Sequence, residues 1–433
     1  LVLAILPLLI LGITACPGIL IDNIVITTGA NGAIPGVVIT FTANAPVSAS
    51  QIQQIFWEYG DGNTGSGNPS THIYPFGGLF TITLKIVLND GSVLIFTESF
   101  VVGGKGQVVF MCQNNSANTD LCFINFDGTD LTILKAHLDT DDESDLPSVN
   151  INGEIVFACE NGSLFDSVCA MSIDGSGFQE IRKSTGFIDA NSNPRMNDLG
   201  QVVFTCETGV NVKSVCGINF DGTGFIELDL ASGGADENAS PRINNLGQVA
   251  YDCETGLGFS SICGINFDGS GFHVIAAATN ISDEKLQPDI NDLGQVVFPC
   301  EGGAGFGRGI CTGTFGVSGF QVIVATPASE DSFQATINNL EQIAYRCTDA
   351  ADDESLCVIN FDGSGQNVID QAADGDDENQ DPAINDSGQI AYVCELDVNR
   401  ASLCAINFDG SGFLILRDSG GSSSNISRAP DIN

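Results

Sequence analysis

Residues 290–301 read INDLGQVVFPCE, and residues 261–275 read SICGINFDGSGFHVI. The same two phrases return around seven cysteine pairs. The first members, Cys112, Cys159, Cys206, Cys253, Cys300, Cys347 and Cys394, stand 47 residues apart. Their second members are Cys122, Cys169, Cys216, Cys263, Cys311, Cys357 and Cys404. A fixed period of this length, rich in short β-branched runs, predicts one blade of a β-propeller per repeat. Each repeat parses into four strands: P-x-I-N (Pro241 to Asn244), Q-V-V-F-x-C after an Asn-Asp-Leu-Gly turn, C-x-I-N-F, and G-F-x-x-I. An Asp-Gly hairpin turn such as Asp268-Gly269 separates the last two. The expected fold is all-β, with a seven-bladed propeller over residues 104–433.

Side chains alternate faces along a strand. In the third repeat Val202, Phe204 and Cys206 therefore share one face, and so do Cys216, Ile218 and Phe220. Setting Cys206 opposite Cys216 pairs Phe204 with Ile218 and Val202 with Phe220. The other face carries the smaller Val203, Thr205, Gly217 and Asn219. A bulky face against a smaller one is what neighbouring blades need to nest. The chain has three histidines, His72, His137 and His273, none repeating with the cysteines. Two thiolates per repeat fall short of a structural zinc site, so each pair reads as a disulfide formed in an oxidising compartment. The first repeat lacks a P-x-I-N strand, while the chain ends Pro430-Asp431-Ile432-Asn433. This last strand is expected to complete blade one and leave no blade short. Blade five is irregular, with one extra residue between its cysteines, GGAGFGRG at 302–309 and Phe-Gly-Val-Ser in place of Phe-Asp-Gly-Ser.

Residues 1–15, LVLAILPLLILGITA, form an uncharged apolar run too short for a membrane span and suited to a signal peptide. They lack an initial Met and a basic flank, which reads as an incomplete N-terminus. The run meets Ile13-Thr14-Ala15-Cys16, which resembles a bacterial lipobox. The resemblance implies lipidation of Cys16, the one cysteine outside the repeats, with 16–24 as linker. Acyl chains there would anchor the chain without a spanning helix.

Residues 25–103 show β-branched alternation, as in VVITFTA (37–43) and LFTITLKIVL (79–88). Between these lie Trp57-Glu58-Tyr59-Gly60-Asp61-Gly62 and Thr71-His72-Ile73-Tyr74. Together they resemble the PKD domain, an Ig-like β-sandwich with a W-x-F-G-D-G segment. Tyr59 stands where that family usually has Phe, and Phe80 where it usually has Tyr. The resemblance implies a spacer or adhesion module, with Trp57 in the core and His72 as a structural residue. The later repeats resemble the PD40, TolB-type propeller family, with Asn-Asp-Leu-Gly replacing its Ser-Pro-Asp-Gly turn. That resemblance implies architecture, not partners.

The chain carries 54 acidic residues against 14 Lys plus Arg, a net charge of -40. Such a surface repels nucleic acid and anionic headgroups. The loop after strand four repeats an acidic pair: Asp142-Glu143, Asp236-Glu237, Asp283-Glu284, Glu330-Asp331 and Asp377-Glu378, with Asp189 alone in the second repeat. These form the candidate binding face. Clustered carboxylates suit calcium, the one cofactor considered, and Asp374, Asp376, Asp377 and Glu378 come nearest to a calcium motif. Arg195 and Arg242 occupy innermost strands, at positions held elsewhere by Asp289 and Asp431, and would give the channel mixed charge. No catalytic constellation is recognisable, so the chain is expected not to be an enzyme. The expected function is a lipid-anchored bacterial cell-envelope protein, periplasmic or on the cell surface, whose propeller is a non-catalytic scaffold binding protein or glycan. The alternatives are a carbohydrate-active propeller enzyme, which needs only two suitably placed carboxylates, and a purely structural surface protein.

Overall fold

A computed structural model describes residues 24–27, 38–74, 78–102, 106–113, 119–138, 147–160, 166–184, 190–209, 212–231, 238–254, 259–278, 285, 287–301, 307–326, 332–348, 353–371, 379–395, 401–418 and 427–433. Contacts divide the chain into two compact units, the larger running from Val101 to Asn433 with two short upstream pieces.

The N-terminal part is a sandwich of two antiparallel sheets. Its strands are β1 (Ile24–Thr27), β2 (Val38–Ala43), β3 (Ile52–Glu58), β4 (Thr64–Ser66), β5 (Ser70–Ile73), β6 (Gly78–Leu88) and β7 (Val93–Val102). One sheet runs β1-β2-β5 and the other β4-β3-β6-β7. Alternation along β2 and β6 turns Phe41, Ile82, Leu84 and Ile86 into a shared core, where Trp57 and Tyr59 are also buried. Trp57 satisfies its indole by donating Nε1 to the Gly67 carbonyl at 2.9 Å. His72 stacks on Tyr59 with ring centroids 4.2 Å apart, and its Nε2 lies 2.6 Å from Asp61 Oδ2. Asp61 sits between Gly60 and Gly62, both at positive φ, in a turn only glycine enters cheaply. His72 thus braces a turn.

The remainder forms seven four-stranded antiparallel sheets. Six are built from consecutive strands, as in blade three: Asn191–Met196, Gln201–Gly209, Val212–Asn219 and Ile226–Asp229. Blade one takes Gln107–Gln113, Thr119–Asn125 and Thr132–Leu138, and gains its innermost strand from Ser427–Ile432. The last strand of the sequence therefore pairs with the first strand of the propeller and closes the ring.

Each of the seven cysteine pairs is a disulfide, with Cα–Cα distances of 5.8 to 5.9 Å. The strand register differs from the expected one. Cys206 stands opposite Ser214, Phe204 opposite Cys216 and Val202 opposite Ile218. The hairpin closes two residues tighter, so the bridge runs diagonally rather than straight across. A shift of two preserves every face, whereas a shift of one would invert them. Val202, Phe204, Cys206, Cys216 and Ile218 accordingly pack together, against Val156, Val168 and Ala170 of blade two. The smaller face, with Val203 and Val215, receives Tyr251, Cys253 and Ile265 of blade four. Gly217 is required there: a Cβ would lie 2.9 Å from the Phe267 ring.

Blade five departs at its outer edge. Without the Asp-Gly turn its fourth strand lengthens to Val317–Val324. Gly316 N donates to His273 Nε2 of blade four at 2.8 Å, and Ser318 Oγ to Val274 O at 3.0 Å. The irregular turn thus clips two blades together.

Candidate binding site in the propeller channel

The innermost strands surround a channel whose two ends are built differently. At one end stands the Asn of every P-x-I-N. Asn197 Oδ1 accepts the backbone N–H groups of Leu199 and Gln201, and its Nδ2 donates to Gln201 Oε1 at 2.8 Å. The same Nδ2 reaches the Asn244 carbonyl of the next blade at 2.9 Å. All the amide's hydrogen-bonding capacity is used, which explains why Asn begins and Gln ends the N-x-x-G-Q phrase. The link repeats from Asn244 to Asn291, Asn291 to Asn338, Asn338 to Asn385, Asn385 to Asn433 and Asn433 to Asn150. Asn150 closes the circle on Asn197 at 3.4 Å.

One residue further along, Asp198, Asn245, Asp292, Asn339 and Asp386 form a second arc. Asn245 N donates to Asp292 Oδ1 at 2.7 Å, and Asn245 Nδ2 donates to the carboxylates of both Asp198 and Asp292. Asn339 does the same between Asp292 and Asp386. These residues line a cavity of about 170 Å³. Each acid keeps one side toward the channel, yet protein surrounds it. Burial pushes Asp198 up to about 6 and Asp386 up to about 7, and raises Asp292. This arc was not anticipated, although its alternation is visible at 47-residue spacing.

The other end is a cavity of about 340 Å³, polar in lining. Strand one bulges here. The residues before the P-x-I-N phrase, Asn193, Ser240, Gln287, Gln334 and Asp381, hold φ between 47° and 52°. Side chains avoid this left-handed region unless the surroundings enforce it. The bulge shifts the register between Ser192 and Arg195, and likewise between Ala239 and Arg242. It brings this residue and the one two positions on into the cavity lining. In chain order the latter are Ser148, Arg195, Arg242, Asp289, Thr336, Ala383 and Asp431.

The wall is therefore lopsided in charge. Arg195 and Arg242 stand on neighbouring blades. Arg195 donates Nη1 to the carbonyls of Pro147 and Pro194 at 3.3 and 3.1 Å, and Arg242 donates Nη1 to Pro241 O at 3.1 Å. Enclosure, then the like charge of Arg242, pushes Arg195 down to about 9 against the pull of Asp431, Asp289 and Asp381. Asp431 Oδ2 accepts Val149 N at 2.8 Å, and Asp289 Oδ2 accepts Ile337 N at 2.8 Å and Thr336 Oγ1 at 2.9 Å. Gln334 Nε2 donates to Asp381. Behind the wall, burial pushes Asp252 up to about 7 while Ser240 and Gln287 N donate to it.

Arg195, Arg242, Asp289 and Asp431 are thus brought together, joined by Ser240, Gln287, Gln334, Asp381 and Asp252, which sequence reasoning missed. The residue at this position changes along the chain from Asn193 to Ser240, Gln287, Gln334 and Asp381, and that variation was the available signal. The acidic pairs at Asp142, Glu143, Asp189, Asp236, Glu237, Asp283, Glu284, Glu330, Asp331, Asp377 and Glu378 lie outside the described residues, as do Asp374, Asp376 and Cys16. Among the described residues no group of three or more His, Cys, Asp or Glu could hold a metal ion, and no helix is long and apolar enough to cross a membrane.

The family model of the PKD domain matches residues 24–101. No curated protein matches the chain. Among solved structures, a puromycin-hydrolyzing peptidase of Mycobacterium tuberculosis aligns at 13% identity and TM-score 0.55, over 73% of this chain and 52% of its own. TolB from Acinetobacter baumannii aligns at 10% identity and TM-score 0.48, over 82% of each chain. An oligogalacturonate lyase in complex with manganese aligns at 8% identity and TM-score 0.49, over 73% of this chain and 86% of its own. Likeness at such identity speaks for the fold alone. It nonetheless corrects the expectation that the chain is not an enzyme, because a structure sharing this fold is a peptidase. Groups that a propeller gathers in its channel come from blades far apart in sequence, so a missing local motif is no argument against catalysis. The seven disulfides mark an exported protein. The chain thus joins a PKD domain at residues 24–101 to a disulfide-braced propeller.

Proposed function

We propose that this is a cell-envelope protein whose propeller binds a protein or glycan ligand at the polar end of its channel. In this reading residues 1–15 are a leader, Cys16 carries the lipid anchor, and residues 25–103 hold the 104–433 propeller away from the membrane. One observation carries it. Around the channel the Asn that links each blade to the next is repeated in every blade, whereas the residues that line the polar cavity change from blade to blade and set two arginines among aspartates and hydroxyls. A purely structural ring would have no use for a wall that sets two Arg, two Asp, a Ser, a Thr and an Ala at equivalent positions. Binding sites favour concave walls with a few converging polar groups.

Ala383 lines this cavity. An Ala383→Trp variant should fill the channel mouth. Because Ala383 also packs in the core between blades seven and one, the variant should melt lower than wild type, and retention is read at a temperature where it is folded. Retention of the intact protein on purified cell-envelope material should then be lost. Unchanged retention by a folded variant would defeat the proposal. A second reading, a carbohydrate-active enzyme, is favoured by Asp252, whose carboxyl burial pushes up to about 7 directly behind Ser240 of the cavity wall. Breakdown of a bound glycan by wild type and not by Asp252→Asn would support it, and a glycan recovered intact would count against it.

A further inference from the structure

We propose that the Arg195–Arg242 wall is a carboxylate site, taking one planar monoanionic group of a polar ligand, an inference that rests on the channel being the binding site. The chain has only 14 Lys plus Arg, and it places two arginines side by side inside a narrow cavity. Two guanidiniums in that setting repel each other, and Asp431, the acid that attracts both, bonds to Val149 N rather than bridging them. Beyond its bond to Pro241 O, the N–H groups of Arg242 meet no protein acceptor among the described residues. Guanidinium offers its donors as a planar fork, the geometry a carboxylate accepts.

Asp431 and Asp252 attract Arg242, but among the described residues no acid of the cavity accepts a hydrogen bond from it. Asp289 and Asp431 are turned to backbone N–H groups of other blades, and Asp381 to Gln334. They do set the ligand's charge. Three carboxylates lining the same cavity repel a dianion more strongly than a monoanion, which disfavours phosphate and sulfate esters. The neighbouring Ser240, Gln287, Gln334 and Thr336 suit hydroxyl or amide groups on the rest of the ligand. A sugar acid and a peptide C-terminus share this chemistry.

Titration calorimetry on the intact protein separates these sources with four probes: D-glucuronate, its uncharged methyl ester, N-acetyldiglycine and inorganic phosphate. One of the two carboxylates should bind saturably, and which one identifies the source. The ester and phosphate should bind at least about tenfold more weakly. Arg242→Gln should lose about tenfold in affinity with its melting temperature unchanged, and Arg242→Lys should recover only part of it. The proposal is overturned if the ester or phosphate binds as well as the carboxylates, if neither carboxylate saturates at millimolar concentration, or if a folded Arg242→Gln binds as wild type does. If Ala383→Trp abolishes envelope retention while the carboxylates fail, the channel remains the binding site and only the arginine assignment falls. If retention survives Ala383→Trp, the channel reading falls with it.

Discussion

The two ends of the channel lie on the same seven strands and follow opposite rules. At one end the same Asn recurs in every blade, and each side chain holds its own turn and the next blade's carbonyl. At the other end, a few residues away along each strand, the wall changes from Ser to Arg to Asp to Thr to Ala. In the Asn ring each blade is donor to one side and acceptor to the other, a pattern that one repeated residue satisfies all the way round. Ligand contact demands the reverse, since seven identical walls would offer seven identical partial sites. Constancy at the Asn end therefore holds the ring, while the varied wall shapes the cavity even where Asp289 and Asp431 also reach the next blade.

That contrast can be broken in steps. The largest effect should come from reducing all seven disulfides, which belong to the repeated part. Each closes a loop of 10 or 11 residues, for roughly 2 to 3 kcal/mol apiece in the chain-entropy account. Because the blades share one ring, loss of several bridges should unfold the propeller cooperatively at physiological temperature, followed by circular dichroism with and without reductant. A smaller loss is expected for Asn244→Ala. It leaves the Asn291 carbonyl, two turn N–H groups and Gln248 without their partner, for about 2 to 3 kcal/mol in denaturant titration.

A third test sharpens the comparison through pH. The folded-state values of Asp198, Asp252 and Asp386 lie at about 6, 7 and 7, above the ordinary carboxyl value, and those of Asp292 and Asp431 are also raised. Between about pH 4 and pH 7 the folded chain holds more protons than the unfolded one. Stability should therefore fall as pH rises through that window, by an amount on the order of a few kcal/mol in all. Exposed acids such as Asp127 and Asp174, held low by hydroxyl hydrogen bonds, act in the opposite sense only as pH drops below the ordinary carboxyl range. Melting temperatures at pH 5 and pH 8 check the sign, and Asp252→Asn should flatten the slope. The smallest effect on stability belongs to Arg242→Gln, within about 1 kcal/mol, since it gives up one hydrogen bond to Pro241 O and the attraction of Asp252 and Asp431 but also relieves repulsion with Arg195.

Much of this architecture can be read in the sequence because repetition amplifies weak signals. One Asp-Gly turn is only suggestive, but the same turn at a fixed offset in nearly every blade defines a hairpin. The terminal Pro430-Asp431-Ile432-Asn433 was legible as the missing strand of blade one for the same reason. The register was not. Alternation places Cys206 and Cys216 on one face, and a straight and a diagonal bridge both satisfy that. Only the hairpin's closure, with Glu207 opposite Lys213, selects between them. The site was half legible. Arg195 and Arg242 stood out by charge, whereas Asp252 stands at a strand position held in other blades by Met111, Ala158, Thr205, Pro299, Arg346 and Val393, and its burial depends on packing beneath Ser240. The left-handed residues at the head of strand one, four before Pro and Gln334 before Ala335, could not be foreseen, since Asn, Ser, Gln and Asp share no pattern that demands positive φ.

The most direct measurement pairs Asn244→Ala with Arg242→Gln, reading melting temperature and retention on purified cell-envelope material for each, at a temperature where both are folded. The account predicts that Asn244→Ala melts several degrees lower yet is retained like wild type, while Arg242→Gln melts like wild type and is released. A retained Arg242→Gln beside a released but folded Asn244→Ala would contradict the division between an end that holds the ring and an end that holds a ligand.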